Sequence, residues 1–148
     1  MNTYTNIIYH IIFATKNRVP TLYKPHRESL FKIIWTTIEK NKSHPYYING
    51  IEDHIHIATH LHPSVSLANL VREIKLTTSK AIKNEGWFPL FEHWQEGYGA
   101  FTHSLESKEK LIHYIINQEE HHKKVTSKNE FIGFLQQFDV DFKDEHLD

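Results

Sequence analysis

The chain has 148 residues, 39% of them hydrophobic and 13% aromatic, which is enough to build one domain around a single core. It contains no cysteine, which excludes disulfides, thiolate catalysis and metal sites built on sulfur, so a bound metal would need nitrogen and oxygen ligands. It also has neither an apolar run of about 18 residues nor a basic and then apolar leader. We therefore expect one cytoplasmic domain over residues 1–148 that does not enter a membrane.

The formal net charge of -1 hides an uneven distribution of charge. Residues 129–148 hold six acidic residues and only Lys143 as a base, which leaves 16 Lys and Arg against 12 Asp and Glu in residues 1–128. The sequence thus predicts a mildly basic body with a short acidic tail at about 139–148. Such a body permits nucleic-acid binding without requiring it.

The first half of the chain predicts one helix among three strands. Residues 4–16 are rich in Ile, Tyr and Phe without helical periodicity and predict a buried strand. Residues 26–42 place apolar side chains at helical spacing and predict the first helix. Residues 46–50 and 54–61 predict two short strands that form a hairpin.

The second half of the chain predicts three helices and one further strand. Ser66 is a good N-cap for a helix that stops near Gly86. Residues 97–104 begin with glycines and predict a strand whose bare backbone another group approaches closely. A third helix is predicted at 108–122, and "SKNE" at 127–130 predicts a capping box that opens a short C-terminal helix.

This order of elements predicts the fold class. Strands and helices interleave, and hairpins are favoured over repeated crossovers. We expect an α+β domain with a ferredoxin-like or RRM-like, mostly antiparallel sheet. The helices should pack mainly on one face of the sheet, with an additional C-terminal helix.

One stretch of the predicted hairpin is rich in histidine. Residues 53–62 read "DHIHIATHLH", and strand alternation places His54, His56, His60 and His62 on one face, opposite the isoleucines. The Cα atoms of His54 and His56 would lie about 6 to 7 Å apart, near enough for both rings to bind one ion. The alternative of a solvent-facing strand with incidental histidines stays open, because the chain holds 13 histidines.

A second pattern lies on the predicted third helix. Tyr114 and Gln118 are four residues apart and share one helix face. A tyrosine at helical spacing is usually a packing residue, and a glutamine one turn later is usually solvated. The pair becomes informative only if it meets His54 and His56 in space.

Five segments together resemble a known family over nearly the whole chain. They read "YHIIFATK", "NGIEDHIHI", "LVREIKLTTSK", "WQEGYGAFTHS" and "YIINQEEHH", in this order. The ordered series is similar to the single-tyrosine HUH transposases of bacterial insertion sequences and to their domesticated, repeat-associated relatives. It is far more specific than a histidine pair alone.

The resemblance implies a function and a site. His54 and His56 would bind a divalent cation, Mg²⁺ or Mn²⁺, and Gln118 would complete the metal ligands. Tyr114 would attack single-stranded DNA and form a covalent 5′-phosphotyrosine intermediate, through which the enzyme cleaves and rejoins DNA.

The resemblance also implies partners. The substrate would be single-stranded DNA with hairpin ends. One tyrosine holds only one DNA end, so excision requires two sites and hence a homodimer. In some members of the family the tyrosine helix lies against the histidines of the partner subunit, and the resemblance therefore raises the hypothesis that Tyr114 acts in trans.

The remaining candidate residues are secondary. His60 and His62 match no ligand of the family and are expected to be bystanders. Six cations are candidates for contacts with DNA phosphates: Lys16, Arg18, Arg72, Lys75, Lys80 and Lys83.

Two alternatives to an active transposase remain open at this stage. One is a domesticated nuclease of the same chemistry that processes dispersed repeats. The other is a nucleic-acid-binding module without catalytic activity, in which the histidines are incidental.

Overall fold

The computed structural model describes residues 1–147. Four strands and five α-helices make up the domain, and none of the helices in the described range has the length and apolar character needed to cross a bilayer. In chain order they are β1 (Ile8–Ala14), α1 (Lys24–Lys40), β2 (His44–Gly50), β3 (His54–His60), α2 (Leu67–Glu85), β4 (Gly99–His103), α3 (Lys108–Ile116), α4 (Gln118–His121) and α5 (Ser127–Gln137).

The four strands form one antiparallel sheet in the order β2-β3-β1-β4. Strands β1 and β3 lie at its centre, where Ile12 is paired with His56 and Ala14 with His54. This is the topology of a ferredoxin-like sheet, and the prediction of an α+β domain with a C-terminal helix is confirmed. The central position of β3 holds the two histidines in the most fully hydrogen-bonded part of the sheet.

The first face of the sheet packs against α1 and α2. The odd-numbered apolar residues of β1 and β3, among them Phe13 and Ile57, are fully buried there with Leu30 and Ile74. Ser66 caps α2 as predicted, because its side chain accepts a hydrogen bond from the Asn69 amide. This face is a conventional apolar core.

The second face packs against α3 and α5. Ile8, Ala58 and Ile115 form one apolar cluster on it, and Ile12 belongs to another that includes Phe101. The two long helices thus lie on one face, as expected, and the shorter helices cover the other. The shorter helices cover the second face because it also carries apolar side chains that must be shielded from water.

The predicted third helix is two helices, α3 and α4, separated at Asn117. That residue has φ -90° and ψ 20°, outside the helical region. Asn49 of β2 donates its side-chain amide to the carbonyls of Ile115 and Ile116. A side chain that inserts at the last carbonyls of a helix competes with the helical hydrogen bonds, and this explains the break.

The start of α5 also differs from the prediction. The N-cap is Thr126, whose hydroxyl accepts from the Asn129 amide at 3.2 Å. Ser127 instead donates to Asp53 at 2.9 Å, and Glu130 points into the interior. The predicted capping box at 127–130 is therefore wrong, because both of its side chains form tertiary contacts in place of local ones.

Helix α5 and the C-terminal segment close the second face near β4. A Cβ atom on Gly99 would overlap the Phe131 ring, so the predicted close approach to this strand's backbone is confirmed. Leu147, near the end of the acidic tail, is buried against the same cluster as Phe101, and Arg18 donates to its carbonyl oxygen. The tail is thus anchored to its own protein at Leu147, whereas residues 139–146 are exposed.

Candidate metal and nucleophile site

The histidines of β3 are buried on the second face of the sheet. His54 is 1% exposed and His56 is fully buried, whereas Ile55 and Ile57 face the core beneath α1 and α2. The alternation inferred from the sequence is confirmed, and the alternative of solvent-facing histidines is wrong. Two adjacent buried imidazoles require polar partners, since an unsatisfied buried nitrogen is costly.

The structure brings the four predicted site residues together. Gln118 Oε1 lies 3.2 Å from His54 Nε2. The Tyr114 ring packs edge-on against His56, with ring centroids 5.9 Å apart. Helices α3 and α4 carry these two side chains to β3 although 60 residues or so separate them in sequence. Their roles as nucleophile and ligands remain predictions.

Glu130 of α5 lies at the centre of this cluster. Its carboxylate is nearly fully buried, and one oxygen, Oε1, faces three imidazoles. The distances from Oε1 to the three Nε2 atoms are 3.3 Å for His54, 3.0 Å for His56 and 3.2 Å for His122. A single carboxylate oxygen therefore sits where three imidazole nitrogens converge.

The other oxygen of Glu130 faces the predicted nucleophile. The Tyr114 hydroxyl donates to Oε2, and Gln118 Nε2 donates to it at 3.2 Å. His121 Nε2 is 3.2 Å from the same oxygen and 3.3 Å from the Tyr114 hydroxyl. Glu130 thus connects the imidazoles to the tyrosine.

The donor set fits a divalent cation. Ligand atoms of His54, His56, His122 and Glu130 all lie within 4.8 Å of one another. Three imidazole nitrogens with one carboxylate oxygen suit Mn²⁺ or Zn²⁺ better than Mg²⁺, which prefers oxygen. The amide oxygen of Gln118 lies beside this group as a further donor.

Two of the imidazoles are oriented by acceptors on their outer nitrogens. His54 Nδ1 lies 2.7 Å from Asp53 Oδ1, and His122 Nδ1 lies 2.5 Å from the Val125 carbonyl oxygen. An acceptor at Nδ1 keeps the proton there and leaves the Nε2 lone pair free for a cation. Asp53 is itself held by the Ser127 hydroxyl.

The two β3 histidines differ in charge. Burial lowers the pKa of His54, but the hydrogen bonds that His54 donates to Asp53 and Glu130 outweigh it and raise this pKa to about 8. Burial dominates at His56 and lowers its pKa to about 4, although Glu130 opposes the shift. At neutral pH, His54 carries the positive charge that faces Glu130, and His56 is neutral.

Glu130 and Tyr114 are shifted in opposite directions. Burial alone would raise the pKa of Glu130, but hydrogen bonds from His122, His54 and His56 hold it far below the ordinary value. Burial, followed by the negative charge of Glu130, raises the pKa of Tyr114 well above 10. The carboxylate is ionised, and the phenol keeps its proton.

Sequence reasoning missed Glu130 and His122. Glu130 matched a local cap pattern, and that reading concealed its position on the apolar stripe of α5, four residues before Phe134 and eight before Phe138. An acid on an apolar helix face is a sign of a buried partner. His122, four residues after Gln118, carries a similar helical-spacing signal.

The six candidate DNA-contacting cations fall into two groups. Three already bind the protein: Lys16 pairs with Glu92, Arg18 donates to Ser127 and to the Leu147 carbonyl, and Lys75 donates to the Gln95 and Gly97 carbonyls. The other three are exposed on α2: Arg72, Lys80 and Lys83. Their contacts with DNA remain predictions.

His60 and His62 lie outside the cluster. The His60 ring bonds to the backbone of Ile7, and His62 Nδ1 is 2.6 Å from the Ser64 hydroxyl. Both rings have local partners, which agrees with the expectation that they are bystanders. Their lack of a role in catalysis remains a prediction.

Comparisons with known proteins identify the family and support the fold. A family model described as transposase IS200 like matches residues 3–118. A candidate transposase from Deinococcus radiodurans shares the fold with a TM-score of 0.60 and 21% identity, over 80% of this chain and 95% of its own. A REP-associated tyrosine transposase bound to a REP hairpin shares the fold with a TM-score of 0.63 and 17% identity, and the match covers 84% of this chain and 76% of that protein.

No curated protein sequence matches the chain. The family model nevertheless covers β1 to β4 and continues through α3 to Gln118, so it includes the two β3 histidines and the tyrosine. Glu130 and His122 lie beyond the matched residues. The chain therefore belongs to the family of IS200-like transposases and is an enzyme of the transposase class.

Proposed function

We propose that the protein is a metal-dependent transposase that cleaves and rejoins single-stranded DNA through a covalent 5′-phosphotyrosine at Tyr114. One observation carries the proposal. The Tyr114 hydroxyl and the Nε2 atoms of His54 and His56 converge on a single buried carboxylate, Glu130. A phenol beside a set of metal donors is the arrangement that attack on a phosphodiester requires.

His54, His56 and Glu130 would hold the cation, with Gln118 and His122 as additional donors. The cation, Mg²⁺ or Mn²⁺ in the cell, would act as a Lewis acid that offsets charge on the phosphate and orients it. Imidazole ligands favour Mn²⁺ over Mg²⁺, so Mn²⁺ should bind more tightly in vitro.

Tyr114 supplies the nucleophile. Its oxygen bonds to phosphorus while the bond from phosphorus to the 3′ oxygen breaks, which leaves a phosphotyrosine and a 3′ hydroxyl. Because its pKa lies well above 10, the phenol loses its proton during the attack and not beforehand. Glu130 Oε2 and His121 Nε2 are the two acceptors within its reach. The phosphotyrosine keeps the energy of the broken bond, so rejoining needs no ATP.

The family and one structural neighbour support the proposed substrate class. That neighbour, a REP-associated tyrosine transposase, is bound to a REP hairpin, and it shares this fold. We propose that this chain also takes single-stranded DNA with hairpin ends. The exposed cations of α2, Arg72, Lys80 and Lys83, would contact phosphates.

Excision of a DNA segment needs two covalent ends at once, so we propose that the active form is a homodimer. Tyr114 packs against His56 of its own chain, which favours attack in cis. The trans arrangement expected from the resemblance would require α3 to leave this contact. Co-expression of Tyr114→Phe with His56→Ala chains separates the two: cleavage by mixed dimers supports attack in trans, and inactivity supports attack in cis.

The test of the proposed function uses labelled single-stranded DNA from the chain's own genomic flanks, incubated with the protein and Mn²⁺ or Mg²⁺. We expect a covalent adduct that survives denaturing electrophoresis and requires the cation. Tyr114→Phe should abolish the adduct while DNA binding is retained.

Tyr47→Phe is the matched control, because Tyr47 is a half-buried tyrosine on the same face of the sheet and has no contact with Glu130. It should form the adduct normally. DNA binding with no adduct under any cation would refute the proposal and favour a non-catalytic binding module. Cleavage without rejoining would instead favour a nuclease that processes repeats.

A further inference from the structure

The buried histidine of β1 is not explained by the proposed function. His10 is fully buried, and its Nε2 lies 2.7 Å from His56 Nδ1, with the two rings stacked at 4.9 Å. Its ring also packs edge-on against Phe134 at 5.1 Å and lies 5.9 Å from the His103 ring. Among residues 1–147, His56 is the one side chain that shares a hydrogen bond with the His10 ring, so the role of this buried imidazole is to be sought at His56.

Only one proton can lie between His10 Nε2 and His56 Nδ1. Which of these two nitrogens carries it depends on what His56 Nε2, the other nitrogen of that ring, is bonded to. His56 Nε2 is 3.0 Å from Glu130 Oε1. An ionised carboxylate only accepts, so this bond places a proton on His56 Nε2, and His56 Nδ1 must then accept from His10. A cation at His56 Nε2 needs the lone pair there, so His56 Nδ1 must then donate to His10.

Asp53, the partner of His54, cannot both donate and accept a hydrogen bond as an imidazole can. Asp53 can only accept, so the proton stays on His54 Nδ1 in both situations. An imidazole, in contrast, donates or accepts at the same nitrogen. We propose that His10 is a positioning residue that supports His56 in both tautomers, the one bonded to Glu130 and the one bound to a cation. The inference rests on the proposed metal site.

The protons balance when the tautomers exchange. His56 gives its Nε2 proton to water, the proton on His10 Nε2 moves to His56 Nδ1, and His10 takes a proton from water at Nδ1. Both rings are neutral before and after. Among residues 1–147, His10 Nδ1 has no hydrogen-bond partner, nor has His103 Nε2 on the ring 5.9 Å away. His10 Nδ1 can therefore gain or lose a proton without breaking an existing bond.

The direct test reads the tautomers by long-range ¹H–¹⁵N correlation on the full chain with ¹⁵N-labelled histidine, using Zn²⁺ as a diamagnetic probe. Without the metal, we expect the proton of both His10 and His56 on Nε2. With Zn²⁺, both protons should move to Nδ1, whereas His54 should keep its Nδ1 proton throughout.

Two substitutions test the same point by calorimetry with Zn²⁺. His10→Gln keeps a group that can accept or donate at this place and should retain most of the affinity. His10→Met fills the space without that group and should lose about 10- to 100-fold, the usual effect of removing an outer partner of a metal ligand. His44→Met, at an exposed histidine of β2, is the control and should bind normally.

The outcomes separate the two claims. If Zn²⁺ shifts neither His54 nor His56, the proposed metal site is wrong. If Zn²⁺ shifts both while the His10 tautomer stays fixed, or if His10→Met binds as tightly as wild type, the metal site stands and the role of His10 is refuted. Should His10→Met fail to fold, the wild-type spectra still decide the question.

Discussion

The two faces of the central sheet are buried to a similar degree but by different chemistry. Beneath α1 and α2 the contacts are mainly apolar, between side chains such as Phe13 and Ile57, and the hydrogen bond from Trp94 to Thr78 is a polar exception. Beneath α3, α4 and α5, a carboxylate, a phenol and several imidazoles interrupt the apolar clusters. The strands are shared, so the contrast depends on which side chains alternate to each face.

The difference teaches where stability and function reside. Apolar burial contributes roughly 25 cal/mol per Å² and needs no particular orientation, so the first face can stabilise the fold alone. A buried polar network is stable only when every member is satisfied, and it often contributes little net stability. The second face therefore maintains the arrangement of charges that the proposed function would use.

The largest expected effect concerns folding. Ile57→Ala on the first face should lower the free energy of unfolding by about 2–5 kcal/mol, because it leaves a cavity in a fully buried core. DNA cleavage per folded molecule should not change. Urea denaturation and a gel assay of cleavage measure the two quantities.

Ile115→Ala is the matched substitution on the second face, at an equally buried isoleucine of α3. It should reduce both stability and cleavage, since the Ile115 side chain packs α3 against Ile8 and Ala58 of the sheet, one residue after Tyr114. An equal loss of cleavage per folded molecule in Ile57→Ala and Ile115→Ala would contradict the proposal that only the second face contributes to catalysis.

The next effect concerns the cation. Glu130→Gln should weaken Mn²⁺ binding by at least about tenfold, because the amide removes the only anion among the clustered donors of the metal site. Calorimetric titration with Mn²⁺ gives the change. Glu106→Gln, at an exposed acid, is the control and should bind Mn²⁺ like wild type. Unchanged affinity in Glu130→Gln would remove Glu130 from the ligand set.

A smaller effect should appear in the dependence of stability on pH. The pKa of His54 is about 8 in the folded state and near 6.5 when unfolded. The folded state therefore binds the His54 proton more tightly than the unfolded state does. The contribution of this proton to the free energy of unfolding is complete below pH 6.5 and is lost as the pH rises through 8. It amounts to at most about 2 kcal/mol, at 1.36 kcal/mol per pKa unit.

Urea denaturation of chelator-treated protein between pH 6.5 and 9 measures this loss. His54→Gln should flatten the decline, because glutamine does not titrate. A decline of the same size in that variant would assign the effect to another group.

The smallest effect is expected at the end of β3. His62→Ala should leave cation-dependent cleavage and stability nearly unchanged, because the His62 ring bonds to its neighbour Ser64 and lies outside the cluster. The cleavage assay with Mn²⁺ measures this. Loss of cleavage there would extend the site along the strand.

The sequence predicted the parts of this molecule that depend on local patterns and on the family resemblance. Strand alternation correctly put Ile55 and Ile57 opposite His54 and His56, and the order of elements identified the α+β sheet. The meeting of Tyr114 with these histidines was foreseen only through the resemblance. The spacing of residues in the sequence does not predict which helix will contact a distant strand.

The remaining features depend on tertiary contacts that no local pattern encodes. The break at Asn117 follows from the side chain of Asn49, more than 60 residues earlier in the chain. Glu130 fits a helix cap equally well by sequence, and only the packing of α5 on the second face reveals its burial. Buried polar residues are thus the least predictable part of the site.

The close approach of Phe131 to Gly99 has a consequence for how this site could change over time. Phe131 follows Glu130 directly, so the bare backbone of β4 sets the distance at which α5 delivers its carboxylate. Any side chain at position 99 would displace the Phe131 ring, and a shift of α5 that followed the ring would withdraw the acid from the imidazoles. Gly99 has no side chain of its own, and yet this absence is what lets α5 pack closely enough to bring Glu130 to the imidazoles.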